Sequence, residues 1–221
     1  MFEDRRQAGA QLCERLKRYQ KRADTLVIGI PRGGVVVASV IASALHLPLS
    51  VISVKKLSAP HNPELAIGAI CASAVRYIDW ELALRVGVEQ DYLDKQIQEK
   101  LTLAKEREQL YGIKNAVKDR KKYTDFILVD DGIATGATVL AAVKDLKEQA
   151  GKVKKHSNVI LAVPVIAKEV FDKLRKAFNV IIALLIEDQF AAVGQFYREF
   201  TQVSDGEVIN ILKEHKQKSI I

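Results

Sequence analysis

The chain is expected to fold as an α/β protein, an open, mostly parallel sheet with helices on both faces, and three observations predict it. Apolar runs of strand length at residues 26–30, 49–54, 126–129, 159–163 and 180–185 alternate with segments of helical periodicity. Runs that are apolar at consecutive positions suit strands covered on both faces. Turns rich in small residues, Pro31-Arg32-Gly33-Gly34 and the stretch from Asp130 to Gly136, follow two of these runs where a helix opens, as in βαβ units.

The elements follow in order. Residues 2–19 set Leu12, Leu16 and Tyr19 at helical spacing among charges, giving an amphipathic helix. Asp24-Thr25 starts the strand at 26–30, the glycine turn leads into an Ala/Val-rich helix at 35–45, and the second strand runs over 49–54. Two stretches break the alternation and are placed outside the sheet core. Residues 66–72 and 75–78 read as a hairpin of short strands, and 89–111 as a long charged helix with Tyr92, Leu93, Ile97, Leu101 and Ala104 on one face. That helix suits either a homodimer contact or a cover for the sheet, and the sequence leaves both open. Strands at 126–129, 159–163 and 180–185 then alternate with helices at 138–150 and 168–177. Ser204-Asp205-Gly206-Glu207 is a capping box that opens the last helix.

With 221 residues and no long linker, the chain is read as a single domain, 1–221, with appendages. Its 48% hydrophobic and 28% charged residues are those of a soluble globular protein, and the apolar runs stop short of a membrane span. Met1-Phe2-Glu3-Asp4-Arg5-Arg6 carries both charge signs with no apolar stretch behind it, so a cytoplasmic location is expected. Cys13 and Cys71 are too few and too isolated for a disulfide framework or a zinc site and are read as packing residues. The net charge of +7 and the cluster Lys114, Lys118, Arg120, Lys121 and Lys122 invite a nucleic-acid reading. With Tyr123 as its sole aromatic neighbour, the cluster reads instead as a solvated surface with a secondary attraction for phosphorylated substrates, and no nucleic-acid partner is expected.

The most informative stretch is Phe126-Ile127-Leu128-Val129-Asp130-Asp131-Gly132-Ile133-Ala134-Thr135-Gly136-Ala137-Thr138. A buried strand delivers two acids and then a loop of small residues at a helix N-terminus. There free N–H groups and the helix dipole favour a phosphate, and the Thr135 and Thr138 hydroxyls add donors. Asp130 and Asp131 beside it are acceptors suited to ribose hydroxyls or, through water, to Mg²⁺. A plain helix cap needs one acid or hydroxyl; two adjacent acids and four more small or hydroxyl positions go beyond it. The Pro31-Arg32-Gly33-Gly34 turn sits at the same sheet edge, where its backbone N–H groups and the Arg32 charge can meet an anion. On its own that turn would serve helix–strand packing.

This order of strand, acids and loop resembles the 5-phosphoribosyl-1-diphosphate (PRPP) binding motif of the type I phosphoribosyltransferases. One departure is Gly132, where that motif usually has an aliphatic residue. The resemblance implies a Mg²⁺-dependent phosphoribosyltransferase that moves ribose 5-phosphate from PRPP to a nitrogen acceptor, a base or an amine, and releases pyrophosphate. It implies that Asp130 and Asp131 hold the ribose, that Ala134, Thr135, Gly136, Ala137 and Thr138 hold the 5-phosphate, and that Arg32, Gly33 and Gly34 hold the pyrophosphate. Mg²⁺ would be held mainly through PRPP and water near the two acids, with no metal site built from protein alone.

The polar segment Lys55-Lys56-Leu57-Ser58-Ala59-Pro60-His61-Asn62-Pro63-Glu64 resembles the mobile loop that closes this family's site, with Lys55 and Lys56 reaching the pyrophosphate. Residues 187–202 fall where the family has a hood over the acceptor; Phe190, Phe196, Tyr197 and Phe200 are candidate stacking surfaces there, and Phe190 is the one assigned to substrate. The run 29–68 and the later Gln195-Phe196-Tyr197-Arg198-Glu199-Phe200 resemble a branch of predicted phosphoribosyltransferases that share the Pro-Arg-Gly-Gly turn and the Asn-Pro-Glu loop. Ala134 stands where hypoxanthine-guanine members have an Asp, so a 6-oxopurine acceptor is not expected, and Glu187 or Asp188 is the candidate substitute acid. The rival functions are a PRPP- or nucleotide-sensing regulator without turnover, and a hydrolase or phosphorylase using the same pocket.

Overall fold

The computed structural model describes residues 1–113, 122–151 and 157–218; Lys114, Lys118, Arg120 and Lys121 of the basic cluster lie outside them, and Lys122 is exposed. In chain order the elements are α1 (Arg5–Leu16), β1 (Thr25–Gly29), α2 (Gly33–Leu45), β2 (Leu49–Val51), β3 (Val54–Ala59), β4 (Asn62–Cys71), β5 (Arg76–Ile78), α3 (Trp80–Arg85) and α4 (Gln90–Leu110). They continue with β6 (Asp125–Val129), α5 (Ala137–Gly151), β7 (Asn158–Ala167), α6 (Lys168–Leu174), β8 (Val180–Glu187) and α7 (Asp205–Lys218).

The main sheet has five parallel strands in the order β2-β1-β6-β7-β8. Alternation of side chains along each strand explains why its sequence reads as continuously apolar. Val27, Ile127, Val129, Ile160 and Ala162 pack on one face against Leu12 and Leu16 of α1 and Val37 and Ile41 of α2. Leu26, Ile28, Phe126, Leu128 and Leu161 pack on the other against Val139, Val143 and Leu146 of α5 and Leu174 of α6. The expected open α/β sheet with helices on both faces is the fold observed. Among the described residues no helix is long and apolar enough to cross a membrane.

The expected second strand is divided. Residues Leu49–Val51 stay in the parallel sheet, whereas Val54–Ala59 cross into a second, antiparallel sheet of order β3-β4-β5. The expected β4–β5 hairpin is present, with Ala69 opposite Tyr77. The segment 55–64, expected as a mobile polar loop, is instead the β3–β4 hairpin, with Ala59 opposite Asn62 across the Pro60-His61 turn. Leu57 and Ala59 anchor it, buried with Ile67 and Ile70 beneath Ala83 of α3 and Leu93 of α4. Its two prolines hid this strand pattern. Pro63 is tolerated because it lies at the turn end of β4, where the Asn62 side-chain oxygen accepts the Glu64 and Leu65 N–H groups.

Helix α4 does act as a cover, and the sheet it covers is the small one. Leu93 is buried, Ile97 and Leu101 pack beside it, and the Tyr92 hydroxyl donates to the Ser58 carbonyl at 3.0 Å. The short helix α3, not anticipated from sequence, is capped by Asp79, which accepts the Leu82 N–H at 3.1 Å. Both cysteines are buried, as packing residues would be.

Residues 187–202 fold back onto the N-terminus. Phe2 bridges Tyr197 in parallel, and its N–H donates to the Phe196 carbonyl at 2.7 Å. The aromatic rings largely satisfy one another: Phe190 lies 4.9 Å from Phe196, and Phe2 lies 5.4 Å from Tyr197. Val193 fills the space beside Gly132, since a Cβ at Gly132 would lie 2.3 Å from a Val193 methyl. That contact explains why glycine stands where an aliphatic residue was expected. The φ of Gly132 lies outside the left-handed region, so crowding alone excludes a side chain. Gly132→Ala should therefore destabilise the protein by about 1–3 kcal/mol. Adding Val193→Ala should remove much of that cost in a double-mutant cycle read by denaturant unfolding, and additive effects would disprove the seat.

Candidate functional site

Strands β1 and β6 run in register, with Gly29 opposite Val129, so the loops that follow them leave the same sheet edge side by side. The Ile30 N–H still donates to the Val129 carbonyl at 2.8 Å, which carries the pairing one residue into the loops. The Pro31–Arg32 peptide bond is cis, and α2 begins at Gly33. Both glycines abut the acids. A Cβ at Gly33 would sit 1.8 Å from an Asp131 carboxylate oxygen, and one at Gly34 would sit 2.8 Å from the Asp130 Cα. The Pro-Arg-Gly-Gly turn and the acid pair are thus one site, and glycine is required because the two loops touch.

The phosphate-type loop is held at both ends. Ile133 makes a parallel bridge to Ile166, donating its N–H to the Val165 carbonyl and accepting that of Ala167, each at 3.0 Å. Gly136 has φ 78° and faces Val170, so only glycine suits it. Its carbonyl accepts the Leu140 N–H at 2.9 Å, which closes the first turn of α5. The first N–H groups of that helix have no partner inside it. Ala134 and Thr135 are exposed, and Ala137 and Thr138 form the first turn. This is the loop read from sequence as an anion cradle, and it does open a helix.

The two acids have different surroundings. Asp130 keeps part of its surface open, yet burial, and next the charge of Asp131, hold its carboxyl well above the ordinary carboxylate range. The Asp131 N–H donates to it at 2.9 Å, and the Lys56 charge opposes the rise. Asp131 is ion-paired at 2.6 Å with Arg5, a residue sequence reading did not single out. Arg5 is 126 positions away, on α1, and nothing local could have marked it. Its guanidinium also donates to the Thr201 carbonyl at 2.8 Å and lies 3.8 Å from the Phe200 ring centre. The Tyr197 hydroxyl donates to the Asp131 carbonyl at 2.6 Å; burial, then the Asp131 charge, push its titration far upward, so it stays a donor.

Consecutive on β3, Lys55 and Lys56 face opposite sides of the hairpin. Lys56 is exposed and within electrostatic reach of Asp130. Lys55 is part-buried, and its ammonium is depressed first by burial and then by Arg107, with Lys100 and Arg32 contributing. Arg107, a second cation missed in sequence, stands on α4 at 3.5 Å from Asp205, which also accepts the Tyr111 hydroxyl. Phe190 is part-buried against Phe196, Glu187 is part-exposed and Asp188 exposed. Among the described residues no cluster of three or more His, Cys, Asp or Glu side chains could hold a metal. Two acids, one already ion-paired, fit a divalent cation whose remaining ligands are substrate oxygens and water.

The raised Asp130 carboxyl has a measurable consequence. Because its folded pKa exceeds its unfolded value, the folded state carries a penalty that is absent where both states hold the proton. That penalty grows as pH climbs past the ordinary Asp value of about 3.9. Asp130→Asn should melt above the wild type at neutral pH and converge with it near about pH 3 in a thermal series. A variant less stable than the wild type at neutral pH would make this carboxylate a structural group.

Residues 3–199 match the family described as the phosphoribosyl transferase domain. Two curated Mycobacterium tuberculosis proteins, "Putative phosphoribosyl transferase MT0597" of strain CDC 1551 / Oshkosh and "Putative phosphoribosyl transferase Rv0571c" of strain ATCC 25618 / H37Rv, are each 36% identical over 220 residues. The match takes in 96% of this chain and 46% of each relative, so the chain spans about half the length of the curated relatives it matches. The crystal structure of TT1426 from Thermus thermophilus is 36% identical, with a TM-score of 0.73 over 97% of this chain and 98% of that one. On the match over residues 3–199 and the 36% identity to a structure covered over almost its whole length, the chain belongs to the phosphoribosyltransferase family.

Proposed function

We propose that the protein is a Mg²⁺-dependent phosphoribosyltransferase that transfers ribose 5-phosphate from PRPP to a nitrogen acceptor and releases pyrophosphate. The observation that carries this reading is the contact of Gly33 and Gly34 with Asp131 and Asp130, which gathers two helix N-termini and an acid pair at one sheet edge. An extended substrate with a phosphate at one end, a diphosphate at the other and hydroxyls between matches that order.

In this reading, residues 134–138 bind the 5-phosphate through backbone N–H groups and the Thr135 and Thr138 hydroxyls. The acid pair addresses the ribose hydroxyls while positive charge develops at C1. Arg32 with the Gly33 and Gly34 backbone takes the diphosphate, and Lys55 and Lys56 reach it from the hairpin. Bound Mg²⁺ would supply charge neutralisation on the diphosphate. The bond from C1 to diphosphate oxygen breaks, a bond from C1 to nitrogen forms, and the acceptor gives up a proton. Most of the rate would come from positioning and preorganised charge. Residues 187–202 cover the acceptor, with Phe190 against it.

A Thr135→Val, Thr138→Val double variant that stays folded should bind ribose 5-phosphate at least about tenfold more weakly by calorimetry, as expected for lost hydrogen bonds to a charged group. Equal affinity would displace the phosphate from this loop. Hypoxanthine and guanine should be poor acceptors in a pyrophosphate-release assay, because Ala134 cannot exchange a proton and general acid–base help is worth about 10²–10⁴. Efficient turnover with either base would reject this, and its loss on Asp188→Asn would identify the replacement acid.

A further inference from the structure

The main sheet has two edges, and they are finished differently. At one, β2 has three residues and is closed off by the last helix: Val51 is buried with Val208 and Leu212 of α7, and a His215 ring nitrogen lies 2.9 Å from the Leu47 carbonyl. At the other, β8 runs for eight residues and pairs with β7 alone. Its stretch Val180-Ile181-Ile182-Ala183-Leu184-Leu185-Ile186 holds no charge, proline or glycine, so the features that usually blunt an open edge are missing from it. Both faces of β8 are packed: Ile182 and Leu184 against the cluster of Leu12 and Leu16 of α1, Ile181 and Ala183 against that of Leu174 and Phe178. Even so, none of its residues is buried and Ile186 is 42% exposed, whereas Val27, Ile127 and Ile160 of the inner strands are no more than 1% exposed. What water reaches is the outer side of the strand, where among the described residues no backbone group pairs with residues 181–186.

We propose that β8 is a self-association surface: a second copy of this chain adds its own β8 antiparallel, about a two-fold axis through the middle of the strand, and two five-stranded sheets become one. Charge at the strand ends selects both the occupant and the direction. Arg175 and Lys176, both exposed, lead into β8; Glu187, part-exposed, ends it, and Asp188, exposed, follows. Among the described residues none of the four is ion-paired. A two-fold axis brings the acidic end of each strand to the basic end of the other, twice over, whereas parallel pairing sets like charges together. Between those ends the contact is apolar, and pairing gives the outward N–H and C=O groups partners. Eight residues span about 26 Å, and with α1 and α6 on the two faces the edge is about 20 Å deep, so a dimer buries on the order of 1,000 Å² in total, the lower end of specific interfaces. The pairing uses no part of the phosphate loop or the acid pair, so it is independent of the reaction proposed above.

Sedimentation velocity of the full chain between about 1 and 100 µM should show a concentration-dependent monomer–dimer equilibrium. Ile186→Lys, at a position already exposed in the single chain, sets a charge between the paired strands and should weaken association about tenfold or more. Arg175→Glu with Lys176→Glu should weaken it as well, and adding Glu187→Lys with Asp188→Lys should restore it, because reversal at both ends recovers the opposite-sign contacts. Amides of residues 181–186 should exchange with deuterium more slowly at the dimer concentration than in dilute protein. A wild type that is monomeric at about 100 µM overturns the proposal. So does a dimer that Ile186→Lys leaves intact, or one whose formation changes no exchange in 181–186; the exchange result on the wild type decides if Ile186→Lys fails to fold. A folded quadruple variant that stays monomeric overturns the antiparallel arrangement.

Discussion

The parallel, in-register pairing of β1 with β6 is the constraint on which the rest of the site depends. It sets Gly29 beside Val129, so the loops that follow must share one edge and one small volume. Two loops in contact leave no room for a Cβ at Gly33 or Gly34. The same geometry points the N-termini of α2 and α5 at neighbouring positions, which makes the edge attractive to an anion at two places. The pairing is secured by burial rather than by the loops. Ile28, Ile127 and Leu128 are fully buried, and each contributes about 1.5–3 kcal/mol relative to an exposed side chain. A few such residues outweigh what a strained group at the edge can cost.

That margin matters because the edge is electrostatically awkward. Two adjacent carboxyls in a recess repel, and the protein answers asymmetrically. Asp131 receives Arg5, while Asp130 receives a backbone N–H and the more distant Lys56 and stays raised. A group left in an unfavourable state, in a cleft, beside a pre-positioned neighbour is the pattern expected of a functional residue. The cation that relieves its neighbour comes from α1, so the N-terminal helix belongs to the site as well as to the core.

The second sheet gives the basic residues a firmer base than a loop would. Lys55 and Lys56 stand on a strand whose Leu57 and Ala59 are buried under α3 and α4, so the hairpin is anchored below while its tip at Pro60-His61 projects. The same cover brings Arg107 and Lys100 into electrostatic reach of Lys55, next to Arg32. The inserted helix therefore does more than shield apolar surface: it adds positive charge to the side of the site assigned to the diphosphate.

The sequence by itself determined the class of fold, the five apolar strands, the glycine turn and the acid-rich loop, because each is a local pattern. Strands covered on both faces must be apolar throughout, and a phosphate-type loop needs small residues directly before a helix. It misread the 55–64 segment, where prolines and lysines outweighed the two apolar anchors that only α3 and α4 explain. It also missed the break within 49–54, since nothing local marks the point where the chain leaves one sheet for another. The reason for Gly132, the pairing of Arg5 with Asp131 and the approach of Arg107 were decided by tertiary structure alone. Each joins residues dozens of positions apart, and a close contact or an ion pair between distant residues leaves no trace in periodicity, spacing or composition.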